Sequence, residues 1–145
     1  MLASPPLLYA GAFAIGSLCQ WMVPTPILPA AVAGGAGLVV LLCGAVLAAW
    51  SRRTLEAESN IHPALPAIAL VVTGPFRLSR NPMYVARTLL YVGLALLANA
   101  LWVLCVLVPL LVVVHYGVIR REERYLEVKF GDAYRRYRAG VRRWI

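Results

Sequence analysis

Four long apolar runs, separated by polar segments of very unequal length, set the pattern of this chain. They cover roughly residues 6–22, 28–50, 82–98 and 101–119. A helix needs about 20 mostly apolar residues to cross a hydrocarbon core of about 30 Å. Each run is therefore read as a membrane helix, the first and third being short for the task. Residues 24–29 and the pair Asn99-Ala100 are tight connections without charge. The pattern predicts an all-α integral membrane protein of about four transmembrane helices in a single domain. Residues 1–50 supply two scaffold helices, 51–81 a cytoplasmic loop, 82–119 a helical hairpin and 120–145 an amphipathic cytoplasmic tail. Loop and tail meet at one membrane face and form a pocket there.

Composition supports the bilayer as solvent. The 145 residues are 61% apolar and 14% charged, against about 45–50% and about 25% in ordinary soluble domains. The apolar runs recur along the whole chain, which a signal peptide does not explain. All 14 Lys and Arg residues follow Trp50. Arg52, Arg53, Arg77, Arg80 and Arg87 fall in or beside the long loop, and the other nine in the tail. With four spans these segments share a side, and the positive-inside rule makes it cytoplasmic, with both termini there. The expected location is the cytoplasmic membrane. The net charge of +8 is accounted for by this rule and by anionic lipid headgroups, so no nucleic-acid partner is expected. Cys19, Cys43 and Cys105 lie in apolar runs without CxxC spacing, and only two histidines are present. No metal site follows from that set.

The polar segments carry the candidate chemistry. Ile68-Ala69-Leu70-Val71-Val72, bounded by Thr73-Gly74-Pro75 and preceded by Pro63 and Pro66, reads as a short extended segment ending in a turn. It either lines a pocket or forms a lid on the helix ends. Asn81-Pro82 reads as the start of the third helix, with Asn as N-cap and Pro at the first helical position. Arg80 beside that helix start suits a carboxylate or phosphate, or else snorkels to headgroups. Tyr84, Arg87 and Tyr91 share a helix face. In the second cluster, His115 and Glu122 are seven apart and share a face, as do Tyr116 and Glu123. Glu122 and Glu123 pair with arginines or hold a cationic ligand. Beyond Arg124, the residues Tyr125, Val128, Tyr134, Tyr137 and Val141 give an interfacial amphipathic pattern. Phe130-Gly131-Asp132 bends it over the pocket, and Trp144 is an interface anchor.

In order, Gly74-Pro75-Phe76, Arg80-Asn81-Pro82-x-Tyr84, Glu122-Glu123, Phe130-Gly131-x-x-Tyr134-x-x-Tyr137 and Trp144-Ile145 resemble the isoprenylcysteine carboxyl methyltransferase family, including its short bacterial members and the related phospholipid methyltransferases. The resemblance covers roughly residue 61 onward. It implies an integral membrane methyltransferase that uses S-adenosylmethionine in a small helical fold. By motif match, Leu70 and Val71 contact the cofactor, Phe76 lines its pocket, and Asn81, Pro82, Met83 and Tyr84 form the cofactor-binding helix start. Glu122 meets the cofactor, with Glu123 in support. Three positions depart from the family pattern. Asn81 stands where many members have His, Ala86 where Gly is frequent, and Val118 where eukaryotic prenylcysteine enzymes have a substrate-gripping Arg. Arg87 or Arg120 is the substitute for that Arg.

The residue chemistry agrees with the resemblance. Arg80 and the helix start suit the carboxylate of S-adenosylmethionine, and Glu122 suits a cationic or donating part. Phe76, Tyr84 and Tyr134 suit adenine or the sulfonium, the latter by cation–π attraction. The acceptor is a lipophilic small molecule entering from the bilayer. A carboxylate acceptor is already ionised and needs no base, whereas an amine or hydroxyl calls on His115 or Glu123. Two other functions fit parts of the pattern. One is a membrane reductase using a reduced nicotinamide dinucleotide phosphate, since Lys129-Phe130-Gly131-Asp132-x-Tyr134 also resembles the end of sterol reductases. The other is a non-catalytic membrane protein that binds anionic lipid.

Overall fold

The computed structural model describes residues 4–61 and 70–145. Pro63, Pro66 and the Ile68-Ala69 part of the expected extended segment lie outside the described residues. The chain order is α1 (Pro5–Met22), α2 (Ala30–Ile61), a 3-10 turn (Gly74–Arg77), α3 (Pro82–Leu97), α4 (Leu101–Val114), a π turn (His115–Ile119), α5 (Arg120–Phe130) and α6 (Asp132–Gly140). No strand occurs among the described residues. Both α1 and α3 open on proline in the first turn, where the missing N–H has no intrahelical partner to lose. α2 carries the second apolar run straight on through Arg52, Arg53 and Glu56.

Two stretches of helix are long and apolar enough to cross a membrane, Ala30–Glu58 and the continuous Leu101–Phe130. Pro82–Leu97 is apolar but shorter. Four spans is therefore a larger count than helix length and composition give by themselves.

The helices pack as two pairs, α2 on α3 and α1 on α4. Glycines seat both pairs. A Cβ on Gly93 of α3 would lie 2.6 Å from the Leu41 nitrogen of α2, and one on Gly16 of α1 would lie 2.6 Å from the Val103 Cα of α4. Backbones thus touch directly, as small residues permit in apolar surroundings. Two tyrosines join the pairs. Tyr91 donates to the Val103 carbonyl at 2.9 Å, and the Tyr9 and Thr88 hydroxyls lie 3.0 Å apart. Both tyrosines belong to the buried core, with Val103, Leu107, Leu110 and Val114.

The uncharged connections close one end of the bundle. Asn99 sits at φ 49, a conformation that Asn tolerates better than most residues. Its Oδ1 accepts from the Ile27 and Leu28 N–H groups at 2.8 and 3.1 Å, and its Nδ2 donates to the Leu28 carbonyl at 2.8 Å. The polar segments gather at the other end. There the bend expected at Phe130-Gly131-Asp132 is present, with Gly131 at φ 51 between α5 and α6.

Two local expectations are corrected. Asn81 occupies the N-cap position of α3, but its side chain does not cap the helix. Its Nδ2 donates instead to the Arg143 carbonyl at 3.1 Å, because residues 142–143 run across that helix start. His115 and Glu122 do not share a face. The intervening π turn widens the hydrogen-bonded ring by a residue and breaks the seven-residue repeat. Trp144 stacks on His115 (centroids 6.4 Å, interplanar angle 16°).

Candidate functional site

The site is assembled from a turn, a helix start and a strap. Gly74 (φ 55) brings the chain back against α2 so closely that a Cβ would meet the Thr54 Oγ1 at 2.8 Å; only glycine fits both the angle and the space. Residues 79–81 are then held by the strap at 142–143. The Arg80 N–H donates to the Arg142 carbonyl at 2.9 Å, and the Ser79 Oγ donates to the Arg143 carbonyl at 3.2 Å. From α6, the Tyr137 hydroxyl donates to the Phe76 carbonyl at 2.6 Å.

Glu123 is the electrostatic centre. Its side chain is only 9% exposed, and it faces two guanidinium groups. Arg143 donates to both carboxylate oxygens, at 2.9 and 2.7 Å, and also reaches His115 Nε2 at 3.1 Å. Arg80 brings its Nη1 within 3.0 Å of Glu123 while remaining 9% exposed. The approach is off-line, and neither Nε nor Nη1 of Arg80 has a directed hydrogen bond. The fully buried Tyr134 hydroxyl lies against Arg80. Burial pushes the Tyr134 pKa up, with the Glu123 charge adding to the rise, while Arg80 alongside pulls it down. Burial also pushes Tyr137 up to about 12.

Beside this cluster opens a cavity of about 250 Å³. Leu70, Val71 and Phe76 form one wall. Arg80, Asn81, Pro82, Met83 and Tyr84 form the helix-start wall, and Glu122, Glu123 and Tyr134 close it from α5 and α6. Glu122 stands at the open mouth and accepts the Tyr84 hydroxyl at 2.9 Å. Desolvation by the apolar lining raises the Glu122 pKa, against the lowering effects of that hydrogen bond and of Arg87.

All ten residues expected around the cofactor, together with Glu123, therefore line one cavity, whereas His115 and Arg87 do not. His115 lines a different opening with Thr88 and Trp144. Arg87 lines an apolar groove between α1 and α3, its guanidinium 5.2 Å from the centre of the Tyr84 ring. Four further residues line the cavity: Leu55 and Leu126, which the sequence does not single out, and Phe130 and Tyr137, which it places in the bend and the amphipathic tail without a contact to the cofactor. Leu126 and Phe130 follow Glu122 at intervals of four, and Tyr137 follows Tyr134 by three, so helical spacing points to them. Leu55 had no such signal, because it depends on how α2 is set against the loop.

Comparison with known proteins places this site in context. No solved structure matches the chain. A protein of Haemophilus influenzae (strain Rd), itself uncharacterized, is 47% identical over 64 residues, which is 43% of this chain and all of that protein. The family model for phospholipid methyltransferases matches residues 32–133, from the start of α2 into α6, spanning both the helix-start wall and the two glutamates. The two apolar helices and this match point to a membrane protein with methyltransferase ancestry, and the chain belongs to the phospholipid methyltransferase family.

Proposed function

We propose that the chain is a multi-pass membrane methyltransferase that takes S-adenosylmethionine in the cavity at the polar end of the bundle and methylates a lipophilic acceptor. The observation that carries this is the charge arrangement at Glu123. Two guanidinium groups meet one buried carboxylate, and Arg80 keeps N–H groups without a directed partner at the cavity wall. Buried polar groups are ordinarily satisfied, so the wall is suited to an anionic group such as the cofactor carboxylate. Glu122 at the mouth suits the ammonium or a ribose hydroxyl. Phe76 and Tyr84 offer aromatic faces for adenine and sulfonium.

When bound, S-adenosylmethionine supplies an electrophilic methyl group on a sulfonium. The protein's part is to align the partners and keep water away. Neither sequence-proposed base stands free for proton abstraction. Both Glu123 oxygens accept from Arg143, and His115 Nε2 faces the same guanidinium. This supports an acceptor whose attacking atom is already unprotonated, such as a carboxylate. In this reading α1 to α4 are four spans, the loop and tail are cytoplasmic, and exposed Val39, Leu42, Val46 and Val108 face lipid.

Calorimetric titration of the detergent-purified protein with S-adenosylmethionine and its demethylated product tests the reading. Saturable binding that Glu122→Gln weakens by about tenfold, the scale of one charge-assisted contact, is expected. Folded protein that binds neither compound overturns it, and titration with a reduced nicotinamide dinucleotide phosphate then follows.

A further inference from the structure

We infer that Arg143, which does not line the cavity, is the positioning residue that keeps Arg80 open to the anionic end of the cofactor. It does so by occupying Glu123, which would otherwise take Arg80 for itself. The inference rests on the methyl-transfer reading of the cavity.

Two arginines share one carboxylate, but unequally. Arg143 meets Glu123 as a fork, with Nε donating to Oε1 at 2.9 Å and Nη2 to Oε2 at 2.7 Å. Paired donation of this kind is the strongest contact a guanidinium makes with a carboxylate. The remaining nitrogen, Nη1, lies 3.1 Å from His115 Nε2. A guanidinium only donates, so that ring nitrogen accepts. All three Arg143 nitrogens are therefore engaged by protein. Arg80 is in the opposite condition. Its Nη1 lies 3.0 Å from Glu123 Oε1, yet neither Nε nor Nη1 has a directed hydrogen bond. Arg80 lines the cavity, and Arg143 is absent from its described lining residues.

Loss of the fork would reverse this. Glu123 is only 9% exposed, and a buried carboxylate requires a cationic partner. Arg80 is already within reach, so a small rotation would turn its donors from the cavity to Glu123. Charge leads to the same end. Two guanidinium groups against one carboxylate leave a positive excess at the wall, whereas Arg80 and Glu123 alone cancel, and the attraction for an anion goes with the excess. The strap itself does not depend on the Arg143 side chain. The Arg142 carbonyl accepts from the Arg80 N–H, and the Arg143 carbonyl from Ser79 Oγ and Asn81 Nδ2. Substitution at 143 therefore removes the charge and keeps these three backbone anchors.

The test is calorimetric titration of the detergent-purified full chain with S-adenosylmethionine and with its decarboxylated form, which keeps the sulfonium, ammonium and adenosine. The wild-type protein is expected to bind the carboxylate-bearing compound at least about tenfold more tightly, the scale of one charge-assisted contact. Arg143→Gln is expected to remove most of that difference by weakening S-adenosylmethionine alone, whereas a merely structural role weakens both compounds alike. Adding Glu123→Gln to Arg143→Gln takes away the competing carboxylate, and is expected to return S-adenosylmethionine affinity to within about threefold of wild type. A residue that only supports the fold predicts the double variant to be the weaker binder. If Arg143→Gln does not fold, Arg143→Lys carries the test. It keeps the charge without the fork, and is expected to lose part of the preference. Equal weakening of both compounds in a folded variant, an unchanged preference in Arg143→Lys, or a double variant no better than the single one overturns the inference. Wild-type protein that binds the two compounds equally also overturns it and leaves the methyl-transfer reading standing. Wild-type protein that binds neither overturns both.

Discussion

The two ends of the bundle are closed by opposite means. At the connection end, the Asn99 side chain makes three hydrogen bonds to the backbone of Ile27 and Leu28, and no charged group takes part. At the other end, Arg80, Arg143 and Glu123 crowd together, and N–H donors on Arg80 are left without a directed partner. One end spends its polarity on itself and the other keeps some in reserve. The second condition is costly for a fold, because a buried donor without a partner forfeits about 1–3 kcal/mol. Such an expense is the mark of a surface shaped for something besides stability.

Three perturbations probe that contrast, and SDS-induced unfolding in mixed micelles reads the first two. Glu123→Ala leaves two guanidinium groups facing each other without their carboxylate, and should cost about 3–5 kcal/mol, as removal of one partner of a buried pair does. A loss below 1 kcal/mol would mean that the arginines simply relax into water, and that the cluster holds nothing in place. Asn99→Ala should cost about 2 kcal/mol, from lost hydrogen bonds and the strain of Ala at positive φ. Asn99→Gly loses the same hydrogen bonds without the strain, so the difference between the two variants separates the contributions.

The smallest effect is the pH response of Glu122. Its pKa in the folded protein lies above the ordinary 4.5, so the folded state holds its proton more tightly than the unfolded chain. Stability from this group is therefore greatest at low pH and declines as pH rises from 4.5 through the folded value. Cofactor affinity should move the other way, since the cationic partner needs the carboxylate ionised. A pH titration of binding should show affinity falling on acidification through the raised pKa, with Glu122→Gln flat across the same range.

Helix starts, the uncharged connections and the bend at Gly131 were legible because proline, glycine and asparagine act locally. The cavity wall was legible because its motifs fall on residues that helical spacing or the family resemblance singles out. The partner of His115 was not legible. Nothing local tells that Arg143, 28 residues later, occupies its Nε2, nor that the helix between His115 and Glu122 changes its winding. The Asn81 side chain was misread for a related reason, since a cap is a local rule and the Arg143 carbonyl a distant competitor.

The π turn at residues 115–119 also decides which genetic accidents the site survives. Such a turn holds one residue more than an ordinary α turn, so loss of a single codon within it lets the ring close while the helix beyond keeps its phase, with Glu122 and Glu123 still turned to the cavity. Loss of a codon from α4 has no such slack: it shortens the helix by only about 1.5 Å and leaves its apolar length almost untouched, yet rotates everything beyond by about 100°. Among chains of this kind, the position of a one-residue gap is therefore a sharper criterion of a working site than hydropathy, because the same gap is harmless in one turn and ruinous in the next without changing the solvent the helix prefers.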